Sequence, residues 1–262
     1  MIIDGRTLAK DILARAKTRA QALGRPPLVV ALVASDTPAT RSYLAMKAKR
    51  AVDAGCILET RALGAPFDDA DAVIVQLPVP EGINQKEACD TITVEKDADV
   101  LSSATRGKFE RGDADVLLPP VVGAVAEIFK TYAVEPRGKK AVVIGNGWLV
   151  GSPCAVWLTQ QGAEVSVLTS KSDDLSAPLR GADIVVSGAG SQHLIKPDML
   201  KQGVVLIDAG TSESDGTLAG DADPACVVKC SLFTPVPGGV GPLAVACLFE
   251  NAVALTEKAM NI

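Results

Sequence analysis

Aromatic residues are scarce in this 262-residue chain. Trp, Tyr and Phe together make up 3% of it, and histidine occurs once, at His193. A core must therefore be built from aliphatic side chains, which the 48% hydrophobic content supplies. Abundant Val, Ile, Ala and Gly suit parallel α/β layers, in which strands buried on both faces pack against helices. The six cysteines, Cys56, Cys89, Cys154, Cys226, Cys230 and Cys247, form no Cys-x-x-Cys pair and have no local histidine partner. Zinc-site spacing is absent, no metal is expected, and scattered free thiols fit a reducing compartment. The net charge of −5 comes without a concentrated basic stretch, which argues against a nucleic-acid grip. No apolar run approaches the ~20 residues that span a bilayer. The opening MIIDGRTLAKDILARAK carries charge too early for a secretory leader, so a cytoplasmic location is expected. Internal repeats and low-complexity segments are also missing.

The order of patterns along the chain predicts two α/β halves. An amphipathic helix over residues 5–23 precedes a short apolar strand at 28–33. Thr37-Pro38 reads as N-cap and first turn of a helix running to about Gly55. Ala72–Val75 is a second buried strand, ended by Gln76-Leu77-Pro78-Val79-Pro80, because two prolines cannot continue a ladder. A helix near 85–91 follows, then a turn-rich stretch over 106–120. From there strands and helices alternate: helix 122–132, strand 141–144, helix 152–161, strand 164–168, helix 175–179, strand 183–187, helix 196–201 and strand 204–209. This is the βαβαβ order of a Rossmann domain. A last helix over 242–258 follows a Gly/Pro-rich hinge.

Several short motifs carry chemistry. Val143-Ile-Gly145-Asn-Gly147-Trp-Leu-Val-Gly151 lies between a strand and a helix, where glycines let backbone N–H groups approach a pyrophosphate. Its spacing is one residue longer than the usual fingerprint. The next strand ends in Leu168-Thr-Ser170-Lys171, with a hydroxyl and a cation where NAD-selective sites place an acid; this leans toward a 2′-phosphate. Tyr43 and Lys47 stand i, i+4 and share a helix face, which alone would read as solvated surface. A lysine moved into a partly apolar site loses some preference for its charge and can join proton chemistry. Gln76 sits at the carboxyl end of a buried strand, where ligands bind, and its amide suits orienting a lysine. Lys96-Asp97-Ala-Asp99 offers two carboxylates that point oppositely if extended, one of which could pair bidentately with an N–H/NH₂ edge. Thr234-Pro-Val-Pro237-Gly238-Gly239-Val-Gly-Pro242 makes a rigid backbone suited to close approach.

Taken together and in this order, Ile3-Asp4-Gly5-Arg6, Asp36-Thr-Pro-Ala39, Tyr43-x-x-x-Lys47, Val75–Pro80, Lys96–Asp99, Gly145–Pro153 and Pro235–Pro242 resemble the bifunctional methylenetetrahydrofolate dehydrogenase/cyclohydrolase family over nearly the whole chain. The resemblance implies a folate-binding catalytic α/β domain over 1–117 plus 243–262, a Rossmann NAD(P)-binding domain over 118–242, and a cleft between them. It places catalysis on Lys47, Gln76 and Asp99, and folate binding on Tyr43, Pro237, Gly238 and Gly239. The cofactor falls to Gly145, Asn146, Gly147, Val150, Gly151, Ser170, Lys171 and Thr211. It further implies tetrahydrofolate one-carbon derivatives as substrates, NADP as cofactor with NAD as the alternative, and a homodimer joined through the Rossmann domain, with no nucleic-acid or membrane partner. Asn146 stands where the family has an arginine for the NADP phosphate, and Leu118-Pro-Pro-Val-Val-Gly123 replaces Pro-Cys-Thr-Pro-x-Gly. The stretch between Gly55 and Val73 is shorter than usual, as if a strand–helix piece were trimmed. Two other readings stay open on the residues alone: a small-substrate dehydrogenase of the shikimate or amino-acid type, and a non-catalytic folate- or nucleotide-binding module.

Overall fold

Short Val- and Ile-rich runs separated by capped helices give parallel sheets, and the computed structural model contains two of them. The structure describes residues 1–214 and 217–261. In chain order the elements are α1 (Gly5–Ala22), β1 (Leu28–Val33), α2 (Pro38–Asp53), β2 (Ile57–Ala62), β3 (Ala72–Val75), α3 (Gln85–Asp90), α4 (Ser103–Arg111) and α5 (Pro120–Thr131). Then come β4 (Lys140–Ile144), α6 (Gly151–Gln160), β5 (Glu164–Leu168), α7 (Ser176–Gly181), β6 (Ile184–Ser187), β7 (Val204–Asp208), β8 (Ser212–Ser214), β9 (Thr217–Ala219), β10 (Cys230–Phe233) and α8 (Val240–Met260). The chain divides into two compact units. One comprises Met1–Leu8 with Val121–Ala244, the other Ala9–Pro120 with the segment from Val245 on.

The unit around Val121–Ala244 holds a five-stranded parallel sheet in the order β10-β7-β6-β4-β5. Read from β5, this is the doubly wound order 2-1-3-4-5, whose switch point lies between β4 and β6. Its interior is aliphatic as the composition requires, with Val185, Leu179, Val204 and Leu206 fully buried. Residues 1–8, expected in the other domain, cluster here for a backbone reason. Ile3 N donates to Phe233 O and Phe233 N to Met1 O, both at 2.9 Å, so the N-terminus adds a short parallel ribbon beside β10. Where an α-helix was expected over 196–201, the chain makes only a 3₁₀ turn at Pro197–Met199.

The other unit has a three-stranded parallel sheet in the order β2-β1-β3. Here the trimmed region proves to keep its strand and lack its helix. β2 pairs in register with β1 from Leu28↔Ile57 to Val33↔Ala62, and residues 63–71 then cross directly to β3. Parallel crossovers usually need a dozen or more residues. Two arginines hold this short one in place. Arg61 bonds Pro66 O and Asp69, and Arg25 forks onto Asp71, whose carboxylate also takes Leu28 N at 2.8 Å. The stretch expected as turns from 106 contains α4 instead. Ser102 caps it on Thr105 N, Gly112 ends it in the left-handed conformation, and Arg106 and Phe109 are buried. α8 is long and apolar enough, by length and composition, to cross a bilayer, although the sequence shows no unbroken apolar run of that length; in this fold Phe249, Ala252 and Val253 are fully buried.

Candidate functional site

α2 begins where Thr37 Oγ1 accepts Thr40 N at 3.1 Å, with Pro38 in the first turn. This cap fixes the helix phase, so Tyr43 and Lys47 emerge one turn apart on one face. The Lys47 ammonium lies 5.1 Å from the Tyr43 ring centroid, within cation–π range. Tyr43 itself is 47% exposed, leaving ring surface open for stacking. Lys47 is not the surface residue its spacing alone would suggest: it is only 6% exposed.

The partner that reaches Lys47 comes from β3. Gln76 continues the strand, donating its N–H to Leu32 O at 2.9 Å. Its Nε2 donates to Leu77 O at 2.7 Å, which turns Oε1 toward Lys47 Nζ, 3.0 Å away. The amide orientation is thus set by its neighbour, and it leaves Lys47 two further N–H directions. Burial lowers the Lys47 pKa, against an opposing pull from the Asp99 charge. Asp99 moves the other way: burial pushes it up to about 6, while Lys47 lowers it and Asp97 raises it. The Asp99 carboxylate makes no hydrogen bond or ion pair among the described residues. A lysine whose charge burial disfavours, an orienting amide, an open aromatic face and an uncommitted carboxylate therefore meet near the carboxyl end of β3.

The two aspartates separate as extended backbone requires. Asp97 pairs beside Val73, is fully buried, and accepts Leu101 N at 3.2 Å and Ser102 N at 2.8 Å. It is committed to the turn that leads into α4. Asp97→Asn should therefore act on stability: an amide group facing backbone donors costs about 1–3 kcal/mol. For a chain of this size that is a fall in melting temperature of about 2–4 °C per kcal/mol, read by thermal denaturation. An unchanged melting temperature would overturn this assignment of Asp97.

In the Val121–Ala244 unit, the glycine turn follows β4 at the switch point. Gly145 has φ +92°, and a Cβ there would lie 2.7 Å from Gly188 O. A Cβ on Gly151 would overlap Gly145 O, so the long G-x-G-x-x-x-G spacing closes on itself with both end glycines required. Asn146 and Gly147 are exposed at the top of this turn, and Val150 packs beneath, against Gly188. No side chain caps the start of α6. Ser170 and Lys171 are exposed just beyond β5, and Thr211 is exposed just beyond β7. All these positions lie at the carboxyl edge of one parallel sheet. Pro237 is exposed, Gly238 has φ +108°, and Gly239 is buried against Pro235 O. Gly5 N donates to Gly238 O at 3.0 Å, tying the N-terminal motif to this loop. His193 lies in a loop with φ +52°. Sequence reasoning missed Asp208 and Asp221 behind the same edge; nothing in their local spelling announces that both are buried.

Comparison with known proteins gives the same outline. The model of the tetrahydrofolate dehydrogenase/cyclohydrolase NAD(P)-binding domain matches residues 119–260. A bifunctional FolD protein from Lactobacillus gasseri is 35% identical, with 98% of each chain covered. This chain belongs to the tetrahydrofolate dehydrogenase/cyclohydrolase family. The crystal structure of the bifunctional FolD dehydrogenase/cyclohydrolase from Campylobacter jejuni superposes with a TM-score of 0.93 at 32% identity, over 99% of both chains. The Trypanosoma brucei FolD, solved with NADP cofactor and an inhibitor, gives 0.92 at 28% identity, over 100% of this chain and 99% of that one. Membership over the full length removes the shikimate or amino-acid dehydrogenase alternative, since the match extends beyond the dinucleotide-binding half.

Proposed function

We propose that this chain oxidises 5,10-methylenetetrahydrofolate to 5,10-methenyltetrahydrofolate with NADP, and hydrolyses that product to 10-formyltetrahydrofolate. The observation that carries the reading is the 3.0 Å bond from buried Lys47 to Gln76, with Asp99 uncommitted beside it. In this reading Tyr43 stacks on the folate ring system and Asp99 takes the N–H/NH₂ edge of the pterin. Pro237, Gly238 and Gly239 contribute to folate binding. Gln76 holds the Lys47 amine so that its remaining positions face the one-carbon group. With its charge disfavoured by burial, Lys47 accepts a proton from water as oxygen bonds the methenyl carbon. The new hydroxyl then becomes the formyl carbonyl as the bond from that carbon to N5 breaks and N5 takes up a proton; in net, one proton passes to solvent. The enzyme works as a cytosolic homodimer. Buried free thiols fit that compartment, and β5 leaves an edge with Val167 40% exposed for a second copy to cover.

The residues present fit a nicotinamide dinucleotide: Gly145 and Gly151 close a turn too tight for a Cβ, and Gly147 at its exposed top leaves open space where a phosphate can approach the backbone. When bound, the nicotinamide accepts the hydride from the methylene carbon. Gly145, Asn146, Gly147, Val150 and Gly151 would hold its pyrophosphate, Ser170 and Lys171 a 2′-phosphate, and Thr211 the nicotinamide side. Asn146 supplies no cation, while Ser170 and Lys171 supply a donor and an exposed charge; such a pair contributes roughly 0–1 kcal/mol. NADP should therefore be preferred over NAD by about tenfold or less. Ser170→Asp should reverse the order, by repelling the phosphate and giving a free 2′-hydroxyl a partner. Comparing kcat/KM for both cofactors on both proteins decides it; a wild-type preference for NAD would sink the assignment. The activity itself is tested by the absorbance of purified protein with methylenetetrahydrofolate and either cofactor. Tight folate binding without turnover would leave only the binding-module reading.

A further inference from the structure

Two buried carboxylates lie behind the residues assigned to the cofactor. Asp208 ends β7 and is 1% exposed; Asp221 follows β9 and is 0% exposed. Among the described residues, neither is paired with a cation. Asp221 accepts Ser187 Oγ at 2.6 Å and the backbone N–H groups of Ala189 and Ser191, both at 2.7 Å. Asp208 accepts Gly210 N at 3.0 Å, Asp221 N at 3.2 Å and Ala222 N at 2.8 Å. The donors thus fall into three segments: Ser187–Ser191 at the end of β6 and beyond gives to Asp221, while Gly210 after β7 and Asp221–Ala222 after β9 give to Asp208. Gly210 in turn packs against the Asp221 carboxylate, so that Asp221 lies between the two ligand-facing loops. The fit leaves no spare room: a Cβ on Gly210 would overlap the Asp221 carboxylate, and one on Gly220 would overlap that of Asp208.

Both loops belong to the edge that carries the glycine turn. Gly188 packs beneath Val150, and a Cβ on Gly190 would lie 3.6 Å from Thr211 O. Carboxylates taken from water without a cation are costly, and this pair is kept by backbone N–H groups and the Ser187 hydroxyl. Two such groups spent on two ligand-facing loops are more than sheet formation needs, since β6 and β7 already pair from Ile184↔Val205 to Ser187↔Asp208.

We infer that Asp221 is a positioning residue for the dinucleotide: it holds Ala189–Ser191 against the Gly210–Thr211 loop, so that the nicotinamide half meets a preformed backbone. The inference rests on the assignment of this edge to the cofactor. Asp221 touches no ligand itself and acts through the two loops.

Asp221→Asn tests it. The amide keeps size and shape, but one of its faces becomes a donor opposed to the Ala189 or Ser191 N–H, so one loop must come free. In the full-length protein, calorimetric titration with NADP should show binding weakened about tenfold, the equivalent of one bond to a charged acceptor. The KM for NADP should rise by a similar factor, while methenyl hydrolysis measured without cofactor stays at the wild-type rate. NADP affinity equal to wild type in a folded variant would overturn the inference, as would a parallel loss of hydrolysis and cofactor binding, which marks a purely structural role. Should Asp221→Asn not fold, Ser187→Ala removes one donor and keeps the carboxylate. It should show the same split at about threefold, and equal affinity there would overturn the inference. Wild type that binds NADP, and loses that affinity on Asp221→Asn, yet never turns over methylenetetrahydrofolate would sink the folate reading and leave this inference standing.

Discussion

Lys47→Met should abolish methenyltetrahydrofolate hydrolysis in a protein that still folds. The activity loss follows from what Lys47 supplies. A positioned proton acceptor contributes about 10²–10⁴-fold, and methionine has no proton site. The folding half follows from burial. Lys47 is 6% exposed and its charge is disfavoured there, so removing the charge removes a cost. Methionine matches the length of the lysine stem and fills most of the same buried space. Against this, Gln76 Oε1 loses its 3.0 Å partner, worth about 0.5–1.5 kcal/mol. The two effects oppose, so the melting temperature should move by only a few degrees, at about 2–4 °C per kcal/mol. Stopped-flow absorbance of methenyl hydrolysis and a thermal melt are the two measurements. A folded Lys47→Met that hydrolyses at the wild-type rate would remove Lys47 from the mechanism. Gln76→Glu offers a second check, since a carboxylate at 3.0 Å would hold the lysine charged and lower hydrolysis without deleting the amine.

How far the sequence predicts this depends on whether local chemistry or distant packing decides each position. Thr37-Pro38 fixes the start of α2, and the helix repeat then places Tyr43 and Lys47 together. Two prolines after Gln76 end β3 where a ligand-facing side chain is needed. Gly145 and Gly151 are dictated by a turn in which a Cβ has no space. All of these are local and were readable. β2 was not, because Ile57–Ala62 has neither a buried run nor a clean alternation; its six residues are mostly exposed and the strand exists only because β1 pairs with it. α4 was hidden by Gly107 in its middle and by Arg106, a residue expected at the surface that is instead 1% exposed. The burial of Lys47 was likewise not in the i, i+4 spacing, which favours a solvated face. The Asp208–Asp221 link joins carboxylates thirteen positions apart to donors in three segments, all but the Ser187 hydroxyl from the backbone, and backbone donors leave no trace in a sequence.

Asp99→Asn should weaken folate binding, flatten its pH dependence and raise stability at neutral pH, all from one cause. Wild-type Asp99 carries a carboxylate that burial has pushed up to about 6 and that no described residue satisfies. A pterin edge would supply the missing donors, a charge-assisted contact of about 1.5–3 kcal/mol. Folate affinity should thus fall about 10- to 150-fold in the variant, while cofactor affinity holds. Because the contact needs the ionised form, wild-type folate binding should weaken as pH drops below about 6, and Asn, which does not titrate, should show no such limb. Stability runs the opposite way. A carboxyl whose folded pKa is raised above its unfolded value contributes stability below the unfolded value and loses it as pH rises through about 6. At pH 7 wild type bears this cost, and Asp99→Asn should melt higher. The gap should close toward pH 4, where wild-type Asp99 is protonated. Folate affinity measured from pH 5 to 8, with melts over pH 4 to 7, tests all three effects. If Asp97→Asn weakens folate binding more than Asp99→Asn does, the pterin is held by the other carboxylate and the buried turn described for Asp97 is not its only role.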